Sequence, residues 1–363
     1  MIKPDSRLLD PTVRHDFVYL FDVTNGNPNG DPDAGNMPRI DPETMHGLVT
    51  DVCLKRKIRN FAELNGQRNF IQTEAALNTL IEDAYREVGV EPVSVPISKE
   101  VASLLPADVS GEIGLGADGR SIVYTGEGKK KREILETLEA LFDEEIPREL
   151  KEDLNSVATA LETAVKGKRS TISKEERSQA RDIMVRDYYD VRMFGAVMST
   201  GLNAGQVRGP MQVTFARSID PIRPLDLSIT RQARTTTERM QTGSTEMGRK
   251  FIVPYGLYRA HGFYSPAFAE GVGKEDLELF WQALVHMFEH DRSAARGQMV
   301  CRGLYVFSHD NALGRAPSHK LFERIKIVRE DGVDAPRAFD DYKVIVEEEA
   351  LPKGVFLDKV WHE

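Results

Sequence analysis

Two carboxylates in the N-terminal part of the chain could bind a cation. The loop 25–33 is rich in Asn, Gly, Pro and Asp, and Asp31 and Asp33 could hold Mg²⁺ because hard cations prefer oxygen ligands. The loop lacks the downstream Glu of a calcium-binding loop. The alternative, which turn chemistry favours, is a loop held in shape by Asn and Asp side chains that bond to nearby backbone.

A second group of candidate residues is basic. Lys55, Arg56 and Arg59 lie in a predicted helix, where Lys55 and Arg59 share a face and Arg56 lies close to it. Such side chains neutralise phosphates without reading sequence, although a solvated basic face is an equally good interpretation.

The stretch 201–210 carries three glycines around polar side chains. Glycine lets the backbone approach a ligand closely, and it also suits the bulged start of a strand. The spacing is not that of a P-loop or a dinucleotide fingerprint, so nucleotide binding is not supported.

Signals for catalysis or for a metal are weak. His286 and His290 are four residues apart on a predicted helix, as in zinc sites, but they lack the metalloprotease motif and a recognisable third ligand. No nucleophile elbow is present, and Cys53 and Cys301 have no metal or redox spacing. We therefore predict no catalytic residue, no metal and no cofactor.

The charge of the chain is unevenly distributed. The net charge of −9 argues against a general nucleic-acid binder. The segment 208–259, however, contains nine basic residues against four acidic ones. An arginine-rich segment on an acidic body indicates one confined anionic ligand.

Nothing in the sequence indicates a membrane or an exported protein. No apolar run approaches the roughly 20 residues that span a bilayer, and residues 1–16 have no apolar core of a signal peptide. Two distant cysteines suit a reducing cytoplasm, so we expect a cytoplasmic protein.

Hydrophobic patterning predicts two kinds of structure along the chain. Helices are predicted at 42–61, through much of 65–190 and around 277–288, with Ser173 and Glu176 as a capping box. Strands are predicted at 17–23, 206–215, 227–229, 251–257, 300–307, 325–328 and 342–346, with a projecting Arg/Thr-rich hairpin or loop at 230–245. Without the helical stretch, the order approximates βαββαβ, the ferredoxin-like plan.

Long motifs in this chain resemble a known family. They are the segments 22–32, 38–42, 46–51, 54–59, 190–195 and 205–212. The chain is similar over nearly its whole length to the backbone subunit of type I CRISPR Cascade complexes, the Cas-seven family, in its type I-C branch.

The resemblance implies an α+β fold with an RRM-like, ferredoxin-like palm, a helical finger insertion and an extended β-hairpin thumb. The expected parts are the first part of the palm at 1–64, the fingers at 65–190, more palm at 191–214, the thumb at 215–255 and the rest of the palm at 256–363. Several copies would stack along one guide RNA, and each thumb would reach the neighbouring subunit and displace a nucleotide.

The resemblance also implies partners and RNA contacts. The partners would be crRNA, the target DNA strand paired to it, further copies of this chain, and the handle-binding, large and small subunits of Cascade. The RNA-binding residues would be Arg39, Thr50, Lys55, Arg56, Arg59, Asn203, Gln206, Arg208, Arg231 and Arg234.

The resemblance leaves one alternative function open. Backbone subunits of the related type III complexes cut target RNA with an aspartate in a loop near the equivalent of 25–33. By that analogy, Asp31 or Asp33 would serve a metal-dependent RNA endonuclease. The type I pattern favours a non-catalytic RNA binder, because DNA destruction there belongs to a separate nuclease.

Overall fold

A computed structural model describes residues 6–105, 112–142, 146, 148–166, 171–199, 201–231 and 246–363. The described strands are β1 (His15–Gly26), β2 (Gly30–Asp31), β3 (Met37–Pro38), β4 (His46–Val49), β5 (Val93–Pro96), β6 (Ile113–Leu115), β7 (Ser121–Tyr124), β8 (Gly195–Met198), β9 (Gly205–Arg208), β10 (Met211–Val213), β11 (Ala216–Pro221), β12 (Leu225–Arg231), β13 (Glu246–Tyr264), β14 (Gln298–His309), β15 (Ile325–Arg329), β16 (Tyr342–Val346) and β17 (Val355–His362). The described α-helices are α1 (Asp51–Leu64), α2 (Leu77–Glu87), α3 (Lys99–Leu104), α4 (Lys131–Glu139), α5 (Arg148–Val165), α6 (Lys174–Asp187), α7 (Tyr189–Phe194), α8 (Lys274–His290) and α9 (Ser318–Phe322).

The chain forms two compact units. The first combines Met1–Gly66 with Pro210–Glu363, and the second is Gln67–Gly209. In sequence, the second unit is therefore an insertion between α1 and β10. No helix among the described residues is long and apolar enough to cross a bilayer.

The first unit is built on one antiparallel sheet. Its strand order is β17–β14–β1–β13–β11–β4, and β10 and β12 also pair with β13. The succession β1, α1, β11, β13, α8, β14 has the βαββαβ order, with the strands arranged β14–β1–β13–β11. The structure thus confirms the predicted ferredoxin-like fold with a helix-rich insertion and a β-hairpin.

The first helix begins later than the sequence predicted. The helix expected from Pro42 starts at Asp51, with Thr50 as its N-cap, because the preceding residues form a turn and β4. In that turn the Asp41 carboxylate accepts hydrogen bonds from the N–H groups of Glu43 and Thr44, so Pro42 stands in a turn rather than a helix.

The second unit contains two clusters of buried apolar side chains. One packs α4 and α5 against the sheet β5–β7–β6, and the other packs α2 and α6 against the hairpin β8–β9. The predicted capping box at Ser173 is confirmed, since Ser173 and Glu176 each accept the other's backbone N–H.

Residues 191–209 belong to this second unit, whereas the sequence had assigned them to the palm. Val191, Met198, Leu202 and Val207 are buried with side chains of α2 and α6, which explains the difference. The strand predicted at 206–215 is accordingly two strands, because Gly209 and Pro210 separate β9 from β10 and the two pair in different sheets.

A buried histidine at the start of β1 makes the stability of the first unit depend on pH. His15 Nε2 faces the carbonyl of Asp10 at 3.0 Å, so it carries the proton, and Nδ1 accepts from the Ser308 hydroxyl at 2.9 Å. Burial lowers the pKa of His15 to about 4. The unfolded chain therefore binds more protons below pH 6.5, and roughly 3 kcal/mol of stability should be lost as pH falls from 6.5 to 4.

This pH dependence can be measured by urea unfolding at pH 7.5 and pH 5. His15→Gln should be less stable than the wild type at pH 7.5 and should lose less stability between the two values, because its amide does not titrate. An equally steep loss in the variant would contradict the assignment to His15.

Candidate nucleic-acid interface

The centre of the sheet in the first unit is covered on both faces. On one face Phe17 packs edge-on against Phe280 and Trp281 of α8, with ring centroids 5.8 and 5.3 Å apart. On the other face Val18 and Leu20 are buried with side chains of α9, β15 and β17. Isolated RRM domains stack bases on the face of such a sheet, but here the covered centre of the sheet leaves no room for a base.

The Asn/Gly-rich loop after β1 is held by its own side chains. Asn27 donates from Nδ2 to the Asn36 carbonyl at 2.7 Å, and Asn25 and Asn36 both have positive φ. The short strands β2 and β3 pair within this loop. These contacts match the turn chemistry that the sequence favoured.

Asp31 has a structural role in the loop. One carboxylate oxygen accepts the Asp33 N–H at 3.2 Å, and the other lies 3.3 Å from Arg39 Nη1. Within the ranges that the structure describes, no group of three or more His, Cys, Asp or Glu residues could hold a metal ion. The rings of His286 and His290 pack against the ring of Phe61, with centroids 6.5 and 5.9 Å apart.

Asn29 joins the loop to the start of α1. Its backbone carbonyl accepts the Arg39 N–H at 3.2 Å, and its Oδ1 accepts both the N–H and the hydroxyl of Thr50 at 3.0 Å. The Thr50 oxygen in turn accepts the Cys53 N–H at 3.2 Å as the helix cap. Sequence reasoning missed this linking role of Asn29, because its partner lies 21 residues away.

The basic run in α1 divides between two faces of the helix. Arg56 is exposed, Arg59 is half-buried, and Lys55 is 15% exposed and lies 3.2 Å from Asp51. Lys57 points the other way, is 5% exposed and forms an ion pair with Asp291. Lys55, Arg56 and Arg59 thus lie toward the outer side of α1, whereas Lys57 connects α1 to the end of α8.

Arg39 lies on the loop beside this helix. Its side chain is 32% exposed, and its Nε atom is buried without a hydrogen-bond partner among the described residues. A buried donor that lacks an acceptor is unfavourable by about 1–3 kcal/mol. An oxygen from a ligand or from water would satisfy it.

The glycine-rich stretch forms the hairpin β8–β9 in the second unit. Gln206 and Arg208 are exposed on β9, while Val207 between them is buried. Asn203 accepts the Gly205 N–H at 2.7 Å with its side chain, and Gly205 has a φ of 86°. Gly205 thus begins β9 with a positive φ, and the register of β9 with β8 is continuous, without the bulge that the sequence suggested.

Two arginines of the 208–259 segment have structural roles. Arg259 donates to the carbonyls of Phe322 at 2.6 Å and Ile325 at 2.9 Å. Arg217 binds Asp41 and the Thr44 hydroxyl. Hydrogen bonds from the Thr44 hydroxyl, from the Glu43 N–H and from Arg217 lower the pKa of Asp41 to about 2.

The hairpin of β12 and β13 carries the remaining candidates. Its two strands pair from Leu225 opposite Ile252 to Arg231 opposite Glu246. On this stem Arg249 lies 3.4 Å from Asp226. Arg234 and the rest of the hairpin end, residues 232–245, lie outside the described residues.

Comparison with known proteins identifies the family. The family model described as CRISPR-associated protein Cas7 matches residues 13–347. The CRISPR-associated protein Cas7 of Haloferax volcanii is 38% identical over 74 residues, and the matched stretch spans 19% of this chain and only 22% of that relative.

Solved structures give a weaker likeness. A chain of a "CRISPR RNA-guided surveillance complex, pre-nicking" aligns with a TM-score of 0.45 and 15% identity, covering 81% of this chain and 78% of its own. A chain of a "CRISPR RNA-guided surveillance complex" has a TM-score of 0.34 and 14% identity, covering 81% of this chain and 75% of its own. Since the family match extends over most of the chain, this protein belongs to the CRISPR-associated protein Cas7 family.

Proposed function

We propose that this protein is a non-catalytic backbone subunit that binds guide RNA in a type I-C CRISPR surveillance complex. The family match over residues 13–347 is the observation that carries the proposal. Target sequence would be read by base pairing between guide and DNA, so the protein needs charge and shape rather than contacts that distinguish bases.

The outer face of α1 is the proposed phosphate-binding surface. Lys55, Arg56 and Arg59 lie within about 6 Å of one another along the helix axis. The ion pair between Lys55 and Asp51 is near the surface, where such pairs contribute little, so a phosphate can replace the carboxylate. Arg39 adds a donor, its Nε atom, that lacks an acceptor in the part of the chain that the structure describes.

The other RNA contacts are proposed in the same way. The hairpin β8–β9 would bind the guide through Asn203, Gln206 and Arg208. The side chains of Gln206 and Arg208 are exposed, as such a contact requires. Arg231 and Arg234 would act from the β12–β13 hairpin as a thumb. Thr50 would contribute mainly as the helix cap, because its hydroxyl proton is donated to Asn29.

Assembly of several copies follows from the same proposal. A repeating head-to-tail interface generates a helical filament when it does not close into a ring. The handle-binding, large and small subunits would then join the filament, and the target DNA strand would pair with the guide. Co-expression with a CRISPR array tests guide binding: RNA of guide length should co-purify, and protein that stays free of RNA when its partner subunits are also supplied would contradict the proposal.

The endonuclease alternative makes a separate prediction. Asp31 is bonded to Arg39 and to the Asp33 N–H, and no observation favours a metal at this loop. The assembled complex with Mg²⁺ should therefore leave a complementary RNA intact over hours. Cleavage that requires Mg²⁺ and is lost in Asp33→Ala would overturn the non-catalytic proposal.

A further inference from the structure

Phe215 is an exposed aromatic residue beside the start of α1. Its side chain is 53% exposed, and it precedes β11, whose first residue, Ala216, pairs with Val49 of β4. Because the strands are antiparallel, Phe215 is brought alongside Thr50, the residue after Val49 and the cap of α1. Ala216 is fully buried, so the alternation along the strand turns Phe215 outward.

The backbone around Phe215 is held on both sides. Thr214 donates its N–H to the His261 carbonyl at 2.8 Å, and its hydroxyl oxygen accepts the His261 N–H at 3.0 Å. The next residue, Ala216, is already part of the ladder with β4. The ring is therefore presented on a fixed part of the sheet rather than on a free loop.

The ring of Phe215 stacks on no other aromatic ring and lies under no cation among the described residues. Phe356, which is 43% exposed, is covered by the guanidinium of Arg7 at 4.0 Å from its centroid. Among the described residues no aromatic or cation contact of this kind covers Phe215. A single exposed apolar residue is ordinary on a protein surface, so its significance lies in the residues that surround it.

Basic side chains follow along α1 from Thr50, the residue beside this ring. Val52, which is 66% exposed, and Arg56 are four residues apart and share the outer face of the helix. Arg56 follows Thr50 by six residues, or about 9 Å of helix rise. An aromatic face followed by cations is the arrangement that binds single-stranded nucleic acid, through base stacking and phosphate contacts respectively.

We infer that Phe215 is a stacking platform for one base of the bound single-stranded RNA, whose phosphates continue along Arg56 and Arg59. The inference rests on the proposed guide-binding function and adds a specific residue to it. Every base has a flat face, so such a platform holds a nucleotide in place without selecting its sequence.

The test uses the full-length protein and single-stranded RNAs that carry one 2-aminopurine at successive positions. Stacking on an aromatic ring quenches this base. In the wild type we expect strong quenching at one position within the stretch of RNA that each subunit covers. Phe215→Leu should restore the fluorescence at that position and weaken RNA binding about tenfold. Phe215→Trp should keep the quenching. The salt dependence of binding should not change in either variant, because no phosphate contact is lost.

Three results would overturn the inference, and they have different meanings. Identical fluorescence profiles in the wild type and Phe215→Leu would rule out stacking while leaving RNA binding intact. Normal binding of a short RNA with loss of assembly in Phe215→Leu would mean that the ring contacts a second copy of the chain. No RNA binding by the wild type would contradict the proposed function itself. Urea unfolding of both variants verifies that this exposed position does not affect folding.

Discussion

Replacing both Lys55 and Arg59 by alanine is expected to weaken guide-RNA binding by roughly 10- to 100-fold, whatever the guide sequence, because two charge-assisted phosphate contacts are lost. The slope of log K against log salt should become shallower by about 1.4, since each phosphate contact to a single strand contributes about 0.7. Both effects can be measured from the affinity for labelled RNA at salt concentrations between about 50 and 300 mM, where such slopes are resolved.

A matched control removes the same charge elsewhere in the first unit. Lys320 and Lys343 are exposed, and Lys320 pairs with Glu323 at the surface. Lys320→Ala with Lys343→Ala should leave both affinity and slope nearly unchanged. Equal effects of the two double variants would mean that net charge, rather than the face of α1, controls binding. A loss that depends on guide sequence would also contradict the phosphate assignment.

Asp291→Ala is expected to lower the free energy of unfolding by about 3–5 kcal/mol, because it leaves the ammonium of Lys57 buried without its counter-charge. Lys57 is 5% exposed and Asp291 13%, and Asp291 also holds Arg296 at 3.0 Å. The change would disconnect the end of α8 from α1. Urea unfolding at pH 7.5, followed by circular dichroism, measures the loss.

The neighbouring surface pair provides the control for Asp291. Glu289 is 50% exposed and pairs with Arg292, so Glu289→Ala should change stability by less than about 0.5 kcal/mol. The double variant Lys57→Met with Asp291→Leu should recover much of the loss, because apolar residues can replace a buried ion pair. If Asp291→Ala were as stable as Glu289→Ala, the ion pair with Asp291 would not be what stabilises the buried ammonium of Lys57.

The strong hydrophobic patterns predicted most of the fold. The apolar run at 17–23 is the centre of β1, and the run at 300–307 lies within β14. The errors concern elements set by distant contacts. β4 and β17 were missed because β4 has four residues and β17 shows no regular alternation of buried apolar with exposed polar side chains. The start of α1 was misplaced because Pro42 suits a first helical turn as well as it suits a β-turn.

In the candidate site, too, the sequence failed to predict features that depend on distant contacts. Sequence alone grouped Lys55, Arg56 and Arg59 near one face of the helix but gave no role to Lys57, because its ion pair with Asp291 depends on where α8 packs. It counted Arg217 and Arg259 with the arginine-rich segment, because it could not foresee their hydrogen bonds to residues 173 and 63 positions away. Phe215 and Asn29 became candidates only through neighbours that the fold supplies.

The most direct test of the backbone proposal is the mass of the purified particle as a function of guide length. The complex would be assembled with its partner subunits on two guides of different length. The longer guide would exceed the shorter one by two intervals, where one interval is the spacing between successive displaced nucleotides. If the protein polymerises along the guide, the longer guide should add two copies of this 40.7 kDa chain and leave the copy number of the handle-binding and large subunits unchanged. A particle whose number of copies does not follow guide length would contradict polymerisation along the guide.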